Sequence, residues 1–397
     1  MSLRLLLSVI IIANLLVGCS NLPSLRTIDE FGRNISELFV KEEEIEIDEE
    51  ELLALQALER IPLLWKNSIG ESVIAVFSLA LSNDALYAAD EDGGLIRFDA
   101  TTGEKIWHNK TKHKFSGGVG VGDGMVLVGT FKGEVFAYNE FGHALWKAQV
   151  TSEILSPPQA NNSMVVVRTV DGRIFGLDAI DGSRKWVYQG ATPSLTVRSG
   201  AGVVISQGAV FAGFAGGKMA AMSLFNGNIG WEATVSQPRG VTELERMTDI
   251  TSSPVIDEQM VCAVAYHGRV ACIAITEGVQ IWTRESSSSA GLAMDKDYIY
   301  VSEENGVVAA YDKRTGAGVW KQSRLGSKNL SAPLVSGPYI VIGDDQGFVS
   351  LLRNYDGAVL ARAETDGSAI LTAPKSIQGG FAVQTIDGGV FAFNTNF

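Results

Sequence analysis

The residues able to do chemistry in this 397-residue chain are few, and their spacing excludes most of what they might do. The four histidines, His108, His113, His143 and His267, contain no pair at ligand spacing and no H-E-x-x-H, so no histidine metal centre is expected. A G-x-S-x-G nucleophile elbow is missing as well. Asp90-Glu91-Asp92 and Asp344-Asp345 have the oxygen donors a hard cation takes, but both fall at turn positions of a repeat described below. The glycine-dense run Gly117-Gly118-Val119-Gly120-Val121-Gly122-Asp123-Gly124 fits neither a dinucleotide fingerprint nor a P-loop. Small residues crowded on an inner strand account for it. The expectation is no catalytic residue, no metal and no cofactor.

The cysteines point elsewhere. Met1-Ser2-Leu3-Arg4 precedes an apolar run from Leu5 to Val17 that ends in Leu16-Val17-Gly18-Cys19. A charged start, a short apolar core and small residues before a cleavage point make residues 1–18 a secretory signal and not a spanning helix. The last four residues match the bacterial lipobox, which makes Cys19 the lipidated first residue of the mature chain. Ser20, where an Asp would mark retention, resembles lipoproteins passed on to the outer membrane. Two or more acyl chains anchor durably, so the body is expected to face the periplasm from the outer membrane. Cys262 and Cys272 flank a hairpin centred on His267-Gly268, which would set 262 opposite 273 and 272 opposite 263. Two buried thiols on opposite faces are expected there, not a disulfide.

The elements that must carry these residues come from a repeat. Trp107, Trp146, Trp186, Trp231, Trp282 and Trp320 each close a copy of one pattern, as in Asp171-Gly172-Arg173-Ile174-Phe175-Gly176-Leu177-Asp178 followed by Gly182 and Trp186. Turn glycines at Gly93, Gly133, Gly172, Gly217, Gly268, Gly306, Gly347 and Gly388 mark eight copies, at a period of about 42 residues over 61–397. The runs between them have strand composition, and Asp/Asn-Gly pairs supply the positive φ of tight hairpins. Four strands per copy make an all-β chain, an eight-bladed β-propeller of four-stranded antiparallel blades. The eighth copy stops before its tryptophan, while Trp65 stands alone at the start. The N-terminal strand is therefore expected to complete the last blade and close the ring. The tryptophans are expected to fill the wedges between blades. The seventh copy has Ala361 at the tryptophan position, which predicts a thinner outer edge.

Residues 19–60 precede the ring as a lipidated N-terminus and acidic linker. Glu42 to Glu51 holds eight acids and no base, leaving about −5 of the net −13 for the rest. Glu49 to Arg60 has the spacing for a short amphipathic helix through Leu52, Leu55 and Leu58. With a pI near 4.9 and no basic patch, nucleic acid is not expected as a partner.

One connection between blades is long. From the tryptophan to the next inner-strand proline takes 11 residues at Trp146–Pro157 and 13 at Trp320–Pro333, but 23 at Trp231–Pro254. Loops inserted on a rigid scaffold are where binding concentrates. Blade topology puts this insertion on the same face as the Asp-Gly turns and as the preceding connection, Pro193-Ser194-Leu195-Thr196-Val197-Arg198. Leu195, Val197, Arg198 and Asp249 would then form an apolar patch with a fixed cation, suited to a protein partner. The alternative is that Leu195 and Val197 begin an inner strand and are core.

The repeat resembles the PQQ repeat; Ile96-Arg97-Phe98-Asp99-Ala100-Thr101-Thr102-Gly103-Glu104-Lys105-Ile106-Trp107 is close to its Ala-Leu-Asp-x-x-Thr-Gly-x-x-x-Trp signature. Two families carry it. The quinoprotein dehydrogenases hold a quinone and a calcium ion, are much longer, and often place adjacent cysteines over the quinone, which this chain lacks. The BamB-like lipoproteins of the β-barrel assembly machinery combine a lipobox with a cofactor-free eight-bladed ring, and resemble this chain over everything after Cys19. That resemblance implies a non-catalytic scaffold whose partners are the periplasmic domains of the BamA-like barrel-inserting subunit and unfolded outer membrane proteins. It also implies that Ser194-Leu195-Thr196-Val197-Arg198 and Arg246-Met247-Thr248-Asp249-Ile250-Thr251 touch that subunit. Val197 stands where a Leu is common, and Thr251 where a second Asp occurs. A quinone-dependent or ligand-binding propeller is the alternative, as is service in a different envelope complex.

Overall fold

The computed structural model describes residues 49–190 and 193–395. The signal segment, Cys19 and acidic residues 42–48 lie outside the described residues. Residues from Glu49 onward form one compact unit.

Eight sheets are present, each built from strands a to d counted from the inner edge outward. Blade 3 is representative, with Gln159–Asn161, Met164–Arg168, Arg173–Asp178 and Arg184–Gln189 paired antiparallel in that order. Strands b and c are buried on both faces because each blade is sandwiched between two others. Met164-Val165-Val166-Val167 is accordingly a continuous apolar run, as expected of strands covered on both sides. Strand d alternates, with Trp186 buried and Lys185 and Val187 exposed. The core is divided accordingly. Eight separate clusters of buried side chains lie one at each seam between neighbouring blades. No blade has a core of its own, so stability is shared between neighbours.

The ring closes through strands far apart in sequence. Leu63–Ser68 pairs antiparallel with Gly389–Asn394 as strand d of blade 8. The glycine-dense run forms strand a of blade 2, Phe115–Gly122, where a Cβ on Gly120 would collide with the Pro158 carbonyl oxygen.

Each tryptophan reaches forward into the next blade. The indole Nε1 of Trp65, Trp107, Trp146, Trp186, Trp231, Trp282 and Trp320 donates to the carbonyls of Ala100, Glu140, Ala179, Leu224, Ile275, Lys313 and Asn354, at 2.6–3.1 Å. All seven acceptors lie in the c–d turn of the following blade. The second glycine of the repeat sits under the same ring. Gly182 has φ +74°, and a Cβ there would stand 2.6 Å from Trp146. Glycine is required twice over at that position.

Three expectations need correction. First, Cys262 and Cys272 are joined by a disulfide, with both residues fully buried and their Cα atoms 4.1 Å apart. The hairpin between them has a three-residue loop, Tyr266-His267-Gly268, closed by the Ala265 N–H donating to the Arg269 carbonyl at 2.9 Å. The extra loop residue moves the centre onto His267, so Cys262 faces Cys272 directly. Second, the edge at Ala361 is covered, not thin. Glu59–Arg60 adds to blade 7 as a parallel fifth strand opposite Ala361 and Arg362, and Ile61 is buried beside it. Third, the helix expected to reach Arg60 stops at Gln56, and Leu55 is its buried contact.

Candidate functional site

The long insertion and the blade 3–4 connection meet as the spacing requires, on the face that carries the b–c turns. Asp249 ties them together. Its carboxylate is buried, Oδ2 accepting from the Val197 N–H at 2.6 Å and Oδ1 from the Gly216 N–H at 2.9 Å. One side chain thereby fixes the insertion to the 193–199 connection and to the b–c turn of blade 4. The Asp249 carbonyl accepts from the Tyr266 N–H in the b–c turn of blade 5. A second tie joins the loop tips, where the Ser194 hydroxyl donates to Glu243 at 3.1 Å.

The tip of the insertion is a helical turn made by its own sequence. Glu245 Oε2 accepts from the Val241 and Thr242 N–H groups, and the Thr242 hydroxyl accepts from the Glu245 N–H. This is a capping box, and its backbone donors, Thr242 first, hold the Glu245 carboxyl below its usual range. The turn carries Val241, 96% exposed, and Leu244, 62% exposed, with Leu195 beside them at 43%. Among the described residues none of these apolar side chains is covered. The spacing Thr242-x-x-Glu245 was the signal by which Val241 and Leu244 could have been singled out.

Arg198 is exposed but held. Its Nε and Nη2 both donate to Glu153 Oε2, at 3.1 and 2.7 Å, and its guanidinium lies 5.6 Å from the Phe131 ring. Arg246 is exposed on the insertion, whereas Val197 is half-buried under it. Asp249 and Thr251 are turned inward. The Thr251 hydroxyl donates to the Ser289 carbonyl at 3.3 Å, so both shape the patch by holding its loops. Of the six residues singled out from sequence, Leu195, Arg198 and Arg246 offer side chains to solvent.

Beneath residues 196–199 lies a cavity of about 40 Å³, lined by Arg168, Thr169, Thr196, Val197, Phe214 and Asp249 among others. Arg168 ends strand b of blade 3 with its guanidinium 5.5 Å from the Phe214 ring. Burial pushes its pKa down to about 10, against the pull of Asp249.

The acidic turns use their oxygens internally. Asp90 accepts from the N–H groups of Gly94 and Gly70, and Asp344 from those of Gln346 and Phe348 while pairing with Arg362 at 3.1 Å. Among the described residues no cluster of His, Cys, Asp or Glu is arranged to hold a metal ion, and no helix is long and apolar enough to cross a membrane.

Known proteins resemble this chain along most of its length. A family profile described as outer membrane protein assembly factor BamB matches residues 91–322 and 304–396. The outer membrane protein assembly factor BamB of Nitrosomonas eutropha is 54% identical over 382 residues, covering 96% of this chain and 92% of its own. The crystal structure of BamB from Moraxella catarrhalis superposes with a TM-score of 0.78 at 27% identity, covering 84% of this chain and 99% of that one. The quinohemoprotein alcohol dehydrogenase of Comamonas testosteroni, at 12% identity and a TM-score of 0.68, covers 85% of this chain and 76% of that one and shares the fold alone. With a tryptophan-stapled eight-bladed ring and this similarity along nearly its whole length, the chain belongs to the BamB family of outer membrane protein assembly factors.

Proposed function

We propose that this protein is a non-catalytic scaffold of the outer-membrane β-barrel assembly machinery, binding the periplasmic domains of the barrel-inserting subunit through the patch around Leu195 and Arg198. The observation that carries this reading is the exposed apolar trio Leu195, Val241 and Leu244 beside a cation held by Glu153, on loops pinned by buried Asp249. Apolar anchors with a pre-positioned arginine are the composition of interface hot spots, and loops fixed before binding lose little entropy on docking. Val197, Arg246 and Thr251 belong to the same patch, Val197 and Thr251 as supports and Arg246 at its rim.

Cys19 carries the lipid in this reading, so the ring faces the periplasm from the outer membrane. Unfolded outer membrane proteins meet it there as clients of the assembled machinery. Their extended segments pair with an exposed strand edge.

Binding of the full-length protein to the isolated periplasmic domains, measured by calorimetry, tests the docking. Arg198→Glu should abolish it with an unchanged circular dichroism spectrum, and undiminished binding would move the site off this patch. Cys19→Ser should release the protein from membranes; retention would refute the anchor.

A further inference from the structure

Arg168 is a half-buried cation with no hydrogen-bonded anion. Its Nη1 is shut off from solvent and has no hydrogen-bond partner. Arg97 and Arg362 also have one buried nitrogen unpaired, but each uses another, Arg97 on the Glu140 carbonyl and Arg362 on Asp344. Among the described residues the Arg168 guanidinium has no such bond, only the face of Phe214. The carboxylate that faces it, Asp249, spends one oxygen on Val197 and the other on Gly216. Leaving a charged donor unpaired in a desolvated place is costly, and nothing in this fold requires an arginine there, because an apolar side chain would pack on Phe214 equally well.

We propose that Arg168 forms the floor of a carboxylate-binding site, into which an Asp or Glu side chain of the docking partner inserts between the blade 3 turn at Val170 and the 196–199 connection. This inference rests on the docking role proposed above and gives it a specificity element. A guanidinium offers a planar fork of donors that matches a carboxylate, and the cavity wall adds the Thr196 hydroxyl as a further donor; the Thr169 hydroxyl is already spent on Asp171. Arg198 and Arg246 offer exposed charge on the same patch, whereas Arg168 offers it only at the bottom of a cavity. The site therefore selects by position as well as by charge. In the free protein, about 40 Å³ leaves room for a few waters, at roughly 10–15 Å³ of such volume each, which the carboxylate would displace.

Two measurements on full-length protein test the site. The first compares wild type, Arg168→Met and Arg168→Lys for Tm and for binding to the periplasmic domains of the barrel-inserting subunit. The expected result is a Tm for Arg168→Met equal to or above wild type, with binding weaker on the order of ten- to a hundred-fold. Arg168→Lys should fall between. A lower Tm with a parallel loss of binding would make Arg168 structural, and unchanged binding would overturn the proposal outright. The second needs no partner: the Arg168 Nε–Hε NMR signal is followed during titration with sodium acetate, with sodium chloride as the ionic-strength control. A saturable shift with acetate alone supports the site, and no shift means the cavity holds water only. If wild type fails to bind the subunit while acetate still shifts the signal, the docking reading falls and the carboxylate site stands.

Discussion

Seven seams of this ring are closed one way and the eighth another. At seven, a tryptophan reaches forward, lies on a glycine and donates to a carbonyl of the next c–d turn. Between blades 7 and 8 there is no such turn to receive it, because strands c and d of blade 8 come from opposite ends of the sequence. The tryptophan position is accordingly Ala361, and the seam is filled from the other direction. Ile61 drops into it behind the parallel strand Glu59–Arg60, and the stacked rings of Phe381 and Phe393, 5.5 Å apart, supply the remaining bulk. A repeat protein thus abandons its own consensus where the chain connectivity removes the acceptor.

Breaking each kind of seam should show how far they are equivalent. Trp186→Ala removes a ring that is 8% exposed, together with its hydrogen bond to Leu224, and should cost about 3–5 kcal/mol, read from urea denaturation. Ile61→Ala should cost less, about 2–3 kcal/mol by the same measurement; an equal loss would mean that the eighth seam depends on its one aliphatic residue as fully as the others depend on tryptophan. Ala361→Trp restores the consensus yet should destabilise by about 1–3 kcal/mol, since the site is already full, and a gain in stability would refute the filled-seam account. The smallest effect lies in the receiving turns. The Thr102 amide first, and then its hydroxyl, hold the Asp99 carboxyl below its ordinary range, and the Thr315 hydroxyl does so first for Asp312. A carboxyl depressed in the folded state contributes stability above its unfolded pKa and loses it as pH falls through the folded one. Asp99→Asn with Asp312→Asn should therefore lower Tm slightly near neutrality and flatten its decline on acidification, so that the variant and wild type converge below the ordinary carboxylate range.

Much of this was legible because the repeat is written in residues with single physical meanings. Turn glycines counted the blades, tryptophans marked the outer strands, and unpaired Trp65 gave the closure. The insertion stood out by length alone, and its neighbours Leu195 and Arg198 lie where blade topology put them. What escaped notice depended on half-residue or through-space detail. A hairpin centred on one residue instead of between two turned an expected pair of thiols into the Cys262–Cys272 bridge. Glu59–Arg60 is too short and too polar to announce a strand, and forms one only because blade 7 offers an edge. Arg168 sits in an apolar strand and looks like its solvated end until Phe214 and the 196–199 connection are folded over it.

Closure of the ring also sets an order of events. The strand at 63–68 is synthesised long before its hydrogen-bonding partner at 389–394. Until that partner arrives, Leu63–Ser68 has no sheet to join, and blade 1 lacks the neighbour that covers its first face. Contacts so distant in sequence form slowly and leave edges open meanwhile. The circle therefore cannot be completed until residues 389–394 have been made, and a chain truncated before residue 389 would hold seven blades and an unclosed gap.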